Sequence, residues 1–106
     1  MQIVKVETTV GNDAEAEALV ALILERRLAA CIQCEPIRSH YRWQGRLAHD
    51  DEVRLSCKTS IRARDGLVTL LQEHHSYDVP EIVVQVADVS DAYGAWLHAE
   101  VSHEGA

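Results

Sequence analysis

The chain contains no phenylalanine, only three cysteines and two prolines, and no apolar run long enough to cross a membrane. An odd number of cysteines does not describe a disulfide framework. A transmembrane helix needs about 20 consecutive apolar residues, and residues 1–6 lack the long apolar segment of a secretory signal peptide. These absences predict a cytoplasmic protein that has neither a membrane segment nor a structural disulfide.

Basic residues are also scarce. Lysine and arginine together number 10, against 17 aspartates and glutamates, which gives a formal net charge of −7. Nucleic acid and anionic membrane both require a basic surface, so neither is expected as the principal partner. An acidic surface is compatible with the attraction of cations. At 106 residues, 47% of them apolar, the chain is long enough for one packed domain, residues 1–106, and too short for two.

Catalytic signatures are missing as well. The sequence has no nucleophile elbow, phosphate-binding loop or dinucleotide-binding fingerprint, so we do not expect an enzyme. Cys31 and Cys34 form a Cys-x-x-Cys pair, but a redox pair lies at a helix N-terminus, whereas this pair follows a helical segment and enters an extended one. Positions three apart in a strand face opposite sides, so we interpret the two cysteines as structural.

Hydrophobic periodicity divides the chain into alternating strands and helices. Strands are predicted at residues 3–9, 31–43, 51–59 and 81–89, and helices after the capping residues Asn12 and Ser60 and at residues 92–101. Gln44 and Gly45 are a turn signal, and residues 47–51 fit either a strand or a loop. The order β-α-β-β-α-β with a C-terminal helix predicts an α+β fold of the ferredoxin-like class.

The last predicted strand differs from an ordinary half-buried strand. Residues 82–86 read Ile-Val-Val-Gln-Val, which is apolar on both faces. A ferredoxin-like sheet carries its helices on one face only, so the second face needs another cover. In so small a domain, we expect another subunit to supply that cover.

Residues 74–82 join the second helical segment to this strand and contain two histidines and two carboxylates. Imidazole and carboxylate are ordinary ligands of transition metals, so His74, His75 and Glu81 are the candidate ligands of a metal ion. Adjacent helical side chains diverge by about 100°, so both histidines could bind one ion only if the helix unwinds there. The alternative is two solvated histidines at a helix C-terminus, where the dipole favours a cation.

A second candidate group combines aromatic residues with one lysine: Tyr41, Trp43, Lys58, Tyr77 and Trp96. Aromatic side chains with a polar handle suit a surface that is half buried in a cleft or interface. Lys58 could hold an anionic ligand in such a cleft or pair with Glu81. The alternative is packing at an interface together with a salt bridge.

These features together resemble the CutA family of divalent-cation tolerance proteins, across nearly the whole chain. The shared motifs are residues 28–31 (Leu-Ala-Ala-Cys), 39–45 (Ser-His-Tyr-Arg-Trp-Gln-Gly), 58–59 (Lys-Thr), 75–82 (His-Ser-Tyr-Asp-Val-Pro-Glu-Ile), and Tyr93 with Trp96. The resemblance implies a ferredoxin-like subunit in a tight homotrimer, similar in architecture to the PII signalling proteins. Clefts would then form where subunits meet, with Tyr93 and Trp96 at the trimer interface or in packing.

The resemblance also implies a function in the response to metal ions. Copper binding has been attributed to some members, through a cysteine of the first strand and two adjacent histidines. His74 and His75 match those histidines, whereas the cysteine position falls near Thr8, which has no thiol, and Ser76 replaces a common proline. We therefore expect a trimer that binds Cu(II) or another divalent cation and needs no organic cofactor. The alternative is a PII-like small-molecule sensor or signalling scaffold.

Overall fold

The computed structural model describes residues 1–101 as four strands and three helices. The elements are β1 (Gln2–Val10), α1 (Asp13–Glu25), β2 (Cys31–Trp43), β3 (Arg46–Thr59), α2 (Arg64–His74), β4 (Val83–Asp88) and α3 (Asp91–Glu100). This order confirms the predicted α+β arrangement with its C-terminal helix. None of the described helices, the longest of which has 13 residues, is long and apolar enough to cross a membrane.

The sheet has the strand order β2-β3-β1-β4, and every neighbouring pair is antiparallel. β2 and β4 are therefore the two edges. An edge position explains how β2 tolerates Pro36, since proline cannot donate a hydrogen bond to a neighbouring strand. Cys31 lies opposite Lys58 and Cys34 opposite Leu55, so the two cysteines face opposite sides of β2, as predicted, and both are free thiols.

β2 and β3 form a long hairpin closed by a two-residue turn. Gln44 and Gly45 both have positive φ, 51° and 78°, which is the conformation of a type I′ turn and matches the twist of the flanking strands. Pairing continues without interruption from this turn down to Cys31 opposite Lys58. The segment 47–51, which the sequence left open, is therefore strand. We call residues 36–52 the hairpin arm; none of them is fully buried.

The core lies between one face of the sheet and helices α1 and α2, and its fully buried side chains include Val6, Leu55 and Leu71. The start of α1 is fixed by a capping box. The Asn12 side chain accepts a hydrogen bond from the Glu15 amide at 2.9 Å, and the Glu15 carboxylate accepts one from the Gly11 amide at 3.0 Å. These bonds orient α1 over the sheet.

β4 is covered incompletely by its own chain. Val83, Val84 and Val86 are exposed although all three are apolar, and the outer edge of β4 has no strand partner in residues 1–101. An uncovered apolar edge strand is a surface for association. β4 thus exposes apolar side chains, and their cover by another subunit stays a prediction.

Candidate functional site

A groove of about 570 Å³ lies between the hairpin arm and the loop that connects α2 to β4. Tyr41 and Trp43 reach it from the arm and Tyr77 from the loop. All three are more than one-third exposed, so each offers both an apolar surface and a polar atom. Three of the four predicted cleft residues therefore share one groove.

The groove also collects acidic side chains. Asp50 and Glu52 come from β3, while Asp78 and Glu81 come from the loop, and the lining contains no lysine or arginine among the described residues. We call this site, defined by these four carboxylates and the three aromatic residues, the acidic groove. Like charges gathered on a concave surface focus a negative potential, which raises the local concentration of cations.

Two tyrosine hydroxyls hold two of these carboxylates in place. Tyr77 donates a hydrogen bond to Glu52 at 2.8 Å, and Tyr41 donates one to Asp50. Burial and the bond to Glu52 raise the pKa of Tyr77, and the bond to Asp50 is the main cause that raises the pKa of Tyr41. Both phenols therefore remain protonated donors at neutral pH. Each orients one carboxylate oxygen and leaves the other oxygen of that carboxylate free to face a ligand.

His75 fixes the loop to the sheet. α2 ends at His74, and His75 is already extended, with φ −73° and ψ 142°. The His75 Nδ1 atom accepts a hydrogen bond from the Tyr77 amide at 3.1 Å. Its Nε2 atom therefore carries the proton and donates to the Thr9 carbonyl at 2.9 Å. Both ring nitrogens are occupied, and neither is free to bind a metal in this arrangement.

The three predicted metal ligands do not lie together. His74 is exposed and lines a small cavity beside Leu19 and Leu22 of α1, His75 points to Thr9, and Glu81 lies in the acidic groove. Within residues 1–101, no group of three or more histidine, cysteine, aspartate or glutamate side chains is placed to hold a metal ion. The helix unwinds between the two histidines, but their side chains still diverge.

Thr8, the position near the family's cysteine, is fully buried in the core. Its hydroxyl has no hydrogen-bond partner in the described part of the chain. His74 is exposed at the surface, and His75 is bonded to the carbonyl of Thr9, the residue that follows Thr8. The Thr8 side chain therefore faces the interior of the chain, whereas His74 faces solvent.

Lys58 occupies a different region of the subunit from the other predicted cleft residues. Its Nζ atom lies 5.9 Å from the centroid of the Tyr93 ring, and that ring is 5.7 Å from the ring of Trp96. No ion pair joins Lys58 to Glu81 among residues 1–101. Trp96 is half exposed whereas Tyr93 packs against the core, so Trp96 is the member of this cluster with surface available for a partner.

Comparisons with known proteins agree on one family. Residues 4–100 match the family model of the CutA1 divalent ion tolerance protein. A divalent-cation tolerance protein CutA of Pectobacterium atrosepticum is 38% identical over 95 residues, which cover 88% of this chain and 86% of that protein. A protein of the same name from Yersinia pestis is 36% identical over 95 residues, covering 88% of this chain and 80% of its own length.

Solved structures give the same result. CutA from Synechococcus elongatus superimposes with a TM-score of 0.91 at 38% identity, over 95% of this chain and 91% of that one. CutA1 from Pyrococcus horikoshii gives a TM-score of 0.90 at 33% identity, over 93% of this chain and 98% of its own. The similarity extends over nearly the whole fold.

Proposed function

Because the chain belongs to the CutA1 divalent ion tolerance family, we propose that it is a cytoplasmic homotrimer that binds divalent cations and takes part in the response to them. The protein acts by binding and catalyses no reaction. The single observation that carries this proposal is the acidic groove, in which four carboxylates line one concave surface and no described lysine or arginine lies among them.

The geometry of the groove favours a hydrated cation. The four carboxylates are not close enough for three of them to bind one ion directly. A divalent cation that keeps several of its waters is commonly held by one or two carboxylates. Asp50 and Glu52, already oriented by Tyr41 and Tyr77, are suited to that mode of binding, and Asp78 and Glu81 add negative charge.

Among the predicted ligands, Glu81 is the one that lies in this groove. We therefore propose that Asp50 and Glu52 hold the hydrated cation while Glu81 contributes negative charge beside it, and we assign to His75 the role of holding the loop against β1. Binding of Cu(II) through His74 and His75 would require His75 to give up its bonds to Thr9 and Tyr77. Lys58, Tyr93 and Trp96 are proposed to contact a neighbouring subunit.

The cation proposal is tested with Mn²⁺, which prefers oxygen ligands. Asp50→Asn/Glu52→Gln removes two negative charges from the groove and is expected to weaken Mn²⁺ binding by about tenfold or more at low salt, since each charge acts on the ion over only a few ångströms. Titration calorimetry or the Mn²⁺ paramagnetic resonance signal measures the affinity.

A matched control removes the same total charge elsewhere. Asp65 and Glu73 are exposed residues of α2, so Asp65→Asn/Glu73→Gln is expected to change the affinity less than about twofold. Equal weakening in both double variants would show that only the overall charge matters. If the unaltered protein binds no Mn²⁺, the cation proposal for this groove is wrong.

A second candidate function is favoured by the aromatic residues of the same groove. Tyr41, Trp43 and Tyr77 offer partly exposed rings on which a planar small molecule could stack. In that case the protein is a sensor with a ligand at the subunit cleft. A thermal-shift screen with nucleotides and metabolites distinguishes the two functions, because a sensor is stabilised by an organic ligand in the absence of any metal.

A further inference from the structure

We propose that His40 and His49 form a separate cation site, a two-histidine chelate for transition-metal dications of the Cu²⁺, Ni²⁺ and Zn²⁺ class. The site lies on the face of the hairpin arm opposite the tyrosine–carboxylate pairs. None of its ligands is one of the four carboxylates of the acidic groove, although His40 also borders that groove. The site selects its ion by nitrogen ligands rather than by charge.

The strand register brings the two histidines together. His40 of β2 lies directly opposite His49 of β3. Directly opposite residues share one face of the sheet, with Cβ atoms about 4.5–5.5 Å apart. Successive residues point to opposite faces, so Tyr41 and Asp50, the sequence neighbours of this pair, point to the other face. One hairpin thus presents imidazoles on one face and a phenol–carboxylate pair on the other.

The spacing of the rings suits one shared ion. The ring centroids of His40 and His49 are 5.7 Å apart, with an interplanar angle of 34°. An imidazole nitrogen binds Zn²⁺ at about 2.0–2.1 Å, which places the ring centroid roughly 3.2 Å from the ion and two adjacent ligands roughly 4.5–5.3 Å from each other. A small rotation of either side chain closes the remaining difference, while the paired strands hold both backbones in place.

The ring nitrogens of this pair are available. Within the described residues, neither His40 nor His49 makes a side-chain hydrogen bond, whereas the rings of His75 and His98 both contact backbone carbonyls. Both members of the pair are exposed and line a cavity of about 330 Å³. A chelating ion would therefore displace only water.

The charges around His40 and His49 give a cation little electrostatic attraction, so an ion is held there by coordination to the ring nitrogens. Arg42 lines the same cavity and repels cations. On the next rung of the same face, Arg38 and Asp51 neutralise one another in an ion pair of 3.3 Å. Hard cations such as Mg²⁺ or Mn²⁺, which need oxygen ligands, gain little here, whereas imidazole is a good ligand for Cu²⁺, Ni²⁺ and Zn²⁺. The two sites on the arm are thus expected to take different ions.

The test titrates the full-length protein with Cu²⁺ and follows both calorimetry and the Cu²⁺ paramagnetic resonance spectrum. The protein is expected to give a spectrum with two nitrogen ligands. His40→Gln and His49→Gln are each expected to weaken the site at least about tenfold, and the double variant to be little worse than either single one, because each substitution alone destroys the chelate. Both positions are on the surface, so far-UV circular dichroism without metal should be unchanged.

The matched control is His74→Gln/His75→Gln, which removes two histidines that are adjacent in sequence but diverge in space. It is expected to retain the two-nitrogen spectrum, as is Asp50→Asn/Glu52→Gln. His49→Gln, at a position that does not line the acidic groove, is expected to retain Mn²⁺ binding there. Failure of this inference and failure of the proposed function are therefore separable. Unchanged Cu²⁺ affinity in His40→Gln/His49→Gln, or loss of the two-nitrogen spectrum in His74→Gln/His75→Gln, would overturn the inference.

Discussion

Val84→Glu/Val86→Glu is expected to reduce the mass of the assembled protein threefold, to the 11.8 kDa of one chain. Both valines lie on the edge strand β4 and are 42% and 57% exposed in the single subunit. If they are buried between subunits, each glutamate places an unpaired charge in an apolar contact, which costs several kcal/mol. Size-exclusion chromatography with light scattering measures the mass at micromolar concentration.

The control places the same substitution at equally exposed apolar positions. Leu24 of α1 and Ile61, which follows β3, are 42% and 51% exposed, so Leu24→Glu/Ile61→Glu is matched in exposure and in charge. This variant should keep the mass of the unaltered protein. A monomeric mass for the unaltered protein would contradict the trimer. Dissociation of both double variants would show that β4 is not the specific interface.

The second large effect is expected in alkali, from one buried thiol. Burial raises the pKa of Cys57 from its ordinary value of 9.0 to about 12. Above pH 9 the thiol ionises in the unfolded chain while it stays neutral in the native one. The contribution of Cys57 to the free energy of unfolding is therefore fully present below pH 9. It is lost as the pH rises toward 12, by about 1.4 kcal/mol per pH unit.

Cys57→Ala removes this dependence. Between pH 8 and pH 10.5 the free energy of unfolding should fall by roughly 2 kcal/mol more in the unaltered protein than in Cys57→Ala, measured by urea unfolding with a reductant present. Other titrating groups cancel in the difference between the two proteins. Cys34, an exposed thiol, supplies the control, since Cys34→Ala should follow the unaltered protein far more closely. Equal losses for all three proteins would show that Cys57 ionises freely in the native state.

The sequence predicted the elements whose signals are local. The capping box at Asn12 and Glu15 fixed the start of α1, and Gln44 with Gly45 fixed the hairpin turn. The first half of β3 was ambiguous because residues 47–51 carry no apolar alternation. That half of the strand is held by hydrogen bonds to β2 across the turn, and such pairing is not visible in the pattern of one strand alone.

The sequence grouped four cleft residues, and the structure places three of them together. Tyr41, Trp43 and Tyr77 line one groove, whose binding of a ligand stays a prediction. Lys58 lies opposite Lys5 of β1 and Cys31 of β2, six residues along β3 from Glu52. At about 3.3 Å per residue this is roughly 20 Å, so Lys58 lies well outside the groove. Because β3 has 14 residues and extends beyond the core, residues of the same strand can lie far apart, which a list of candidate residues does not show.

The divergence of His74 and His75 could not be read from the sequence, because it depends on the residue at which α2 ends. The pairing of His40 with His49, by contrast, was available and was missed. A two-residue turn at Gln44 and Gly45 places Trp43 opposite Arg46, and counting outward from that pair brings the two histidines opposite each other. The position of the two-residue turn was the signal, because the strand partners can be counted outward from it.

The type I′ turn at Gln44 and Gly45 has a consequence for how this surface can change. Every side chain of the hairpin arm owes both its partner and its face to the register that those two residues set. An insertion of one residue in β3 between the turn and His49 would exchange the two faces of that strand beyond it. His49 would then face the side of the carboxylates, and Asp50 and Glu52 would face the side of His40. The arm can therefore acquire new ligands by substitution, but not by a change of length in one strand.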